Sequence, residues 1–260
     1  MTQHEHLTTR GLQRHRPEHV DAFASTVISV LRDRQVVCSD GVRQFVLEHL
    51  VRAILVRGEF DPRLVMEELR GHRLSIDKII DLYIPKAACV LGQSWVDDDV
   101  SFADVTIGAM RLQSLLGEAS SQGDLDFAAD DRRLHALVVL PQCQQHFLGV
   151  SVVAAQLRRI GCEVTQSFDE PLGALNARLM EERPDLILIS CARLETLETV
   201  SETVQTIRAT LSTGPVIALG GGVLDEVENL KERTGVDIVT NDAKDVVSFC
   251  SRRNKTLRRL

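Results

Sequence analysis

One stretch of the chain can offer a metal a ligand. Gln142-Cys143-Gln144-Gln145-His146-Phe147-Leu148-Gly149 follows an apolar run and leads directly into the amphipathic segment GVSVVAAQLRRIG. It places one imidazole on a loop, with a glycine three residues later. A neutral imidazole is the commonest protein ligand for a transition metal. The same residues also suit a hydrogen-bonded loop histidine and a glycine that relieves crowding at a helix start. The other histidines, His4, His6, His15, His19, His49, His72 and His135, show no i,i+3 or i,i+4 pairing outside the polar start of the chain. They read as structural or solvated. The six cysteines are scattered without a C-x-x-C pair, which argues against a zinc knuckle or a disulfide framework.

Three further features invite a chemical reading. The triplet Gly220-Gly221-Gly222 follows an apolar run and suits a strand-to-helix turn or a phosphate cradle, with no G-x-x-x-x-G-K-[ST] beside it. Trp95 is the single tryptophan and suits either a ligand contact or a core anchor. The basic end, with Arg252, Arg253, Lys255, Arg258 and Arg259, reads as a solvated helix end, with contact to DNA or an acidic partner as its alternative. A formal charge of -7 gives no global electrostatic reason to bind nucleic acid directly. The polar start lacks an apolar signal region and no later segment has a membrane-span composition, so a soluble cytoplasmic protein is expected.

Two kinds of element must position these groups. From His19 to Glu118 apolar residues recur at helical spacing, as in Phe45, Val46, Leu50 and Ala53, with breaks at Cys38–Gly41, Gly58–Pro62, Gly71–Ser75 and Val96–Ser101. Four or five helices are expected, one of them kinked or restarted at Pro85. Residues 1–18 read as a disordered tail, and Ala119–Arg133 as a flexible connection between domains. From residue 134 to 260, short β-branched runs such as Leu186–Ile189 and Val216–Leu219 alternate with amphipathic stretches. This predicts a flavodoxin-like (Rossmann-like) α/β domain with a five-stranded parallel sheet in the order 2-1-3-4-5, below an all-α helical bundle. In such a sheet ligands bind beyond the C-terminal ends of strands one and three, where the strand order reverses.

His146 and Gly149 fit the H-x-x-G core of the D-x-H-x-x-G signature of cobalamin-binding domains that bind the corrinoid with its own base displaced. The resemblance implies that His146 is the lower cobalt ligand and that Gln144, Gln145 and Phe147 meet the cofactor. The family's S-x-L aligns with Ser190-Cys191-Ala192, and its G-G with Gly220-Gly221-Gly222. By that resemblance Ser190 bonds the buried nucleotide tail and the glycines let the tail approach the backbone. Gln144 stands where the family commonly has aspartate, so a weaker or more readily exchanged His146–cobalt bond is expected.

In the helical half, Leu91-Gly92-Gln93-Ser94-Trp95-Val96-Asp97-Asp98-Asp99-Val100-Ser101-Phe102-Ala103-Asp104-Val105-Thr106, then Gly108 and Arg111-Leu112-Gln113, resembles the pattern of AerR/PpaA-type regulators of photosynthesis genes. Related photoreceptor repressors carry a Glu-His pair over the upper face of adenosylcobalamin, where this chain has Val105 and Thr106. Trp95 stays available to pack on the ring or its upper ligand. The resemblance implies a light- or redox-responsive, non-enzymatic antirepressor that binds cobalamin and contacts a CrtJ/PpsR-type repressor. Two alternatives stand beside it: a corrinoid-carrying subunit of a methyltransferase or mutase, and a haem-sensing regulator, since either macrocycle accepts one imidazole.

Overall fold

The computed structural model describes residues 41–122, 133–142, 144, 146–211 and 214–257, with backbone alone for 254–257. The expected N-terminal tail therefore lies outside the described residues. Each apolar run of the second half forms a strand: β1 (His135–Leu140), β2 (Glu163–Phe168), β3 (Leu186–Ser190), β4 (Val216–Gly220) and β5 (Ile238–Val239). All pairings are parallel, in the order β2-β1-β3-β4-β5. Ala136 lies opposite Leu186, and Leu186 opposite Val216.

Alternation along these strands feeds two cores. Leu137, Val139, Ile187 and Ile189 pack toward helices α7 (Leu172–Glu182) and α8 (Leu197–Thr210). Ala136, Val138 and Leu188 pack toward α6 (Phe147–Arg159) and α10 (Ala243–Leu257). Burial on both faces is what the unbroken β-branched runs require. The stretch VLDEVENLKERTG forms a 3-10 turn, Gly222–Asp225, and only a short helix, α9 (Leu230–Thr234), because Asn229 adopts a left-handed conformation between them.

The helical half comprises α1 (Gln44–Leu55), α2 (Pro62–Gly71), α3 (Ile76–Lys78), α4 (Ile84–Val96) and α5 (Phe102–Gln122). Local chemistry starts them: Asp61 accepts the Arg63 N–H at 2.9 Å ahead of Pro62, and the Ser75 hydroxyl accepts the Lys78 N–H at 3.3 Å. The break expected at Pro85 takes the form of a π-helical turn, Ile79–Tyr83, running straight into α4. Proline lacks an N–H and its ring crowds the carbonyl four residues back, so widening the preceding turn lets the helix continue.

Most of the described helices share one compact unit, Leu47–Leu260, with the sheet. Helix α5 also runs through Gln122 into the stretch read as a connection. Leu112, Leu115, Leu116 and Ala119 continue one buried stripe, and the Gln122 amide bonds Glu118 at 2.8 Å. Residues 123–132 of that stretch lie outside the described residues. Among the described residues no helix is long and apolar enough to cross a membrane.

Helix α6 ties the helices to the sheet. Its last residue, Arg159, bonds Asp81 at 2.5 Å and pairs with Asp77 at 3.3 Å, and Gln156 donates to Asp81 at 3.1 Å. One turn beyond its start, Ser151 accepts a 2.6 Å bond from Gln113 of α5. Because Arg159 is largely buried, Asp81→Asn should lower the unfolding free energy by about 1–3 kcal/mol, read from urea midpoints at unchanged slope. Asp77→Asn, at a mostly exposed carboxylate, should cost less than about 1 kcal/mol.

Candidate functional site

Strands β1 and β3 are neighbours, and the helices that follow them, α6 and α8, cover opposite faces of the sheet. The two outgoing loops therefore part at the C-terminal edge and leave a crevice there. On the β1 side, His146 caps α6 without bonding its backbone. It is exposed, and among the described residues nothing bonds either ring nitrogen. Partial burial of the ring, and then the Arg193 charge, hold its pKa below the ordinary histidine value. That favours the neutral form able to ligate a metal. Among the described residues no three His, Cys, Asp or Glu side chains gather into a metal cage, so His146 would act as a single axial ligand.

Gln144 does something other than expected. Its side chain is buried, and Oε1 accepts the Ala192 N–H at 3.3 Å, which clasps the β1 loop to the β3 loop. The oxygen expected to receive the His146 ring proton is thus engaged elsewhere. Its Nε2 is buried with no hydrogen-bond partner among the described residues. Gln145 lies outside the described residues.

Ser190 ends β3, half-buried opposite Gly220. Cys191 is fully buried, its Sγ 3.3 Å from both the Arg193 carbonyl and the Thr196 hydroxyl. The glycines differ from one another. Gly221 has φ +111, and a Cβ there would collide with the Cys191 carbonyl, while a Cβ on Gly222 would lie 3.1 Å from the Ala192 carbonyl. These two let the β4 loop press against the β3 loop. Gly220 faces Thr240 and Asn241 in the same way, and Asn241 Oδ1 accepts the Gly221 N–H at 2.7 Å. Gly149 is the exception: a Cβ there meets open space.

Residues 135–248 match the B12 binding domain family. The chain is 31% identical over 185 residues to the "Uncharacterized 20.5 kDa protein in bchF-crtJ intergenic region" of Rhodobacter capsulatus, covering 71% of this chain and 96% of that protein. The chain belongs to the AerR/PpaA-type family of cobalamin-binding proteins. Among solved structures, the monomethylamine corrinoid protein of Methanosarcina barkeri superposes with a TM-score of 0.64 at 11% identity, covering 80% of this chain and 98% of that one. A cobalamin-binding protein from Desulfitobacterium hafniense DCB-2 gives 0.42 at 18% identity, covering 79% and 97%. The family match decides between the two macrocycles in favour of cobalamin.

In this AerR/PpaA-type chain the shared helical motif is largely a scaffold. Ser101 and Asp104 form a reciprocal cap at the start of α5, with the Asp104 N–H to Ser101 Oγ at 3.1 Å and the Ser101 N–H to Asp104 Oδ2 at 3.3 Å. A Cβ on Gly108 would come within 2.8 Å of Leu91. Arg111 donates to the carbonyls of Ile54, Val56 and Gly58 at 2.6–2.9 Å and so caps the end of α1. Gln113 makes the bond to Ser151. Trp95, by contrast, is 42% exposed, which sets aside the core-anchor alternative, and its ring lies 6.2 Å from that of exposed Phe102. Phe102, Thr106, Met110 and Gln113 fall on one stripe of α5, the stripe that reaches α6. On the α/β side, exposed Phe147 meets Phe168, 5.7 Å between ring centres.

The residues present fit the cofactor: a neutral imidazole with neither nitrogen bonded among the described residues, an unfilled space at Gly149, exposed aromatic rings and a buried amide nitrogen without a described acceptor. Arg193, Gln113 and Phe168 escaped notice in the sequence as site neighbours. Gln113 carried a signal, since it closes the family motif; Arg193 follows Ser190-Cys191-Ala192 directly; Phe168 had none beyond ending a strand.

The two kinds of glycine separate experimentally. Gly221→Ala should destabilise the chain by about 3 kcal/mol or more in thermal unfolding, since it combines backbone collision with a strained φ. Gly149→Ala, inside α6, should leave the cofactor-free chain as stable or up to about 1 kcal/mol more stable, while weakening cobalamin retention.

Proposed function

We propose that this chain is a non-enzymatic, cobalamin-binding regulator that responds to light or redox state and acts as an antirepressor through contact with a CrtJ/PpsR-type repressor. The observation that carries the reading is the likeness along almost the whole Rhodobacter capsulatus protein, encoded beside crtJ. When bound, cobalamin supplies a cobalt centre whose axial ligands exchange with light or oxidation state. His146 would hold the cobalt, and with no carboxylate bonded to its ring among the described residues it would hold it exchangeably. Trp95 and Phe102 would offer apolar surface to the upper side, with Val105 and Thr106 standing in place of a Glu-His pair.

Action through a protein rather than directly on DNA suits the net charge of -7. It also suits the last helix, where Arg253 of the basic end is turned toward Asp237 and the Pro215 carbonyl, each at 3.4 Å.

Two measurements test the reading together. Absorption spectra after incubation with hydroxocobalamin, methylcobalamin, adenosylcobalamin or haemin, in light and dark, should show a retained cobalamin whose spectrum shifts on His146→Ala. The loaded wild-type chain, titrated into a repressor–promoter complex, should release the DNA in one illumination or redox state, and His146→Ala should not. Retained cobalamin with undisturbed repressor binding would leave a corrinoid-binding protein of another role.

A further inference from the structure

The loops after β1 and β3 meet at one bond, from the Ala192 N–H to Gln144 Oε1 at 3.3 Å. Arg193 is the next residue. Its backbone is pinned: the carbonyl accepts from the Thr196 N–H at 3.2 Å, the Thr196 hydroxyl at 2.9 Å and the Cys191 thiol at 3.3 Å. Its side chain is exposed, and no carboxylate among the described residues pairs with it. Arg159, Arg178, Arg208 and Arg253 of the same domain are held by acidic partners, whereas Arg193 shares with Arg158, Arg183 and Arg233 the lack of one among the described residues and differs from those three in following the residue bonded to Gln144. A cation fixed at its root, in no ion pair among the described residues and set beside the metal-ligand loop is placed to receive an anion. The same clasp leaves a second donor idle, since Gln144 Nε2 is buried with no described acceptor.

Cobalamin answers both deficits. Its ring is fringed with neutral amides, and its one permanent negative charge is the phosphodiester that joins the ring to the nucleotide tail. We propose that Arg193 binds the phosphodiester of the cobalamin nucleotide tail, with the Gln144 side-chain amide as a second, buried donor at the same pair of loops. The inference rests on cobalamin being the ligand at His146. It makes Arg193 a specificity residue, one that separates complete cobalamins from corrinoids without the nucleotide. Arginine suits a phosphate here because its fork can deliver two parallel N–H bonds.

Absorption titrations of the full-length chain with hydroxocobalamin and with diaquacobinamide, which keeps the ring and cobalt but lacks phosphate and nucleotide, test it. Arg193→Gln should weaken hydroxocobalamin about ten-fold, at the low end for a charge-assisted bond on an exposed side chain, and change cobinamide less than about two-fold. Arg193→Lys should recover part of the loss, and added inorganic phosphate should compete with hydroxocobalamin but not with cobinamide. His146→Ala should weaken both corrinoids. Equal loss of both on Arg193→Gln, or loss of neither, overturns the assignment while cobalamin binding stands. A wild-type chain that retains neither corrinoid overturns the cobalamin reading itself, and Arg193's role with it. Unchanged melting of cofactor-free Arg193→Gln shows that the fold is intact.

Discussion

Everything at the C-terminal edge of the sheet depends on one topological constraint. β1 and β3 run side by side in the same direction, yet their successor helices cover opposite faces. Two parallel neighbours whose chains part company cannot close the space above them, and a crevice results whatever the loop sequences are. What the loops decide is how that crevice is furnished. Here they are cross-braced by an amide of Gln144 from one side and by the absent side chain of Gly221 from the other. The brace settles where Arg193 starts and where the chain turns toward His146.

The AerR/PpaA-type motif of the helical half has a physical reading that its pattern alone does not disclose. Conserving a cap needs only Ser101 and Asp104; conserving a close helix crossing needs Gly108 against Leu91; closing α1 onto α5 needs the planar, multi-donor head of Arg111. Asp104, held below the ordinary carboxylate pKa by its bonds to Ser101, keeps the charge that suits a helix start. These residues therefore place Trp95 and Phe102 rather than meet a ligand themselves. The exposed rings are the part of the motif that scaffold duties leave unexplained.

Strand identity, order and direction were legible in the sequence because buried parallel strands have an unmistakable composition, as at Leu186–Ile189, and because a doubly wound sheet offers few topologies. His146 and the glycine triplet were legible as positions, since each follows a strand. Their partners were not. Gln144 is followed two residues later by His146, and proximity in sequence suggested a bond between them. The bond it makes runs 48 residues along the chain, to Ala192, and only the pairing of β1 with β3 creates it. Ala119–Gln122, read as the start of a connection, is helix for a related reason. Small polar residues suit a flexible segment in isolation, but Ala119 completes a buried stripe that begins at Leu112, and tertiary packing overrides composition.

Helix α6 is the element that joins the metal-ligand position to the helical half. His146 stands at its start and Arg159 at its end, so about 20 Å of regular helix separates the metal-ligand position from the ion pair with Asp81. The helical half grips this helix at both ends, through Gln113 on Ser151 and through Asp81 on Gln156 and Arg159. A packed helix transmits a push as a body rather than absorbing it along its length. The two contacts of α6 with the helical half lie on α5 and at the π-helical turn. That turn is π-helical, and Arg159 reaches it with one buried nitrogen, Nη1, lacking a hydrogen-bond partner among the described residues.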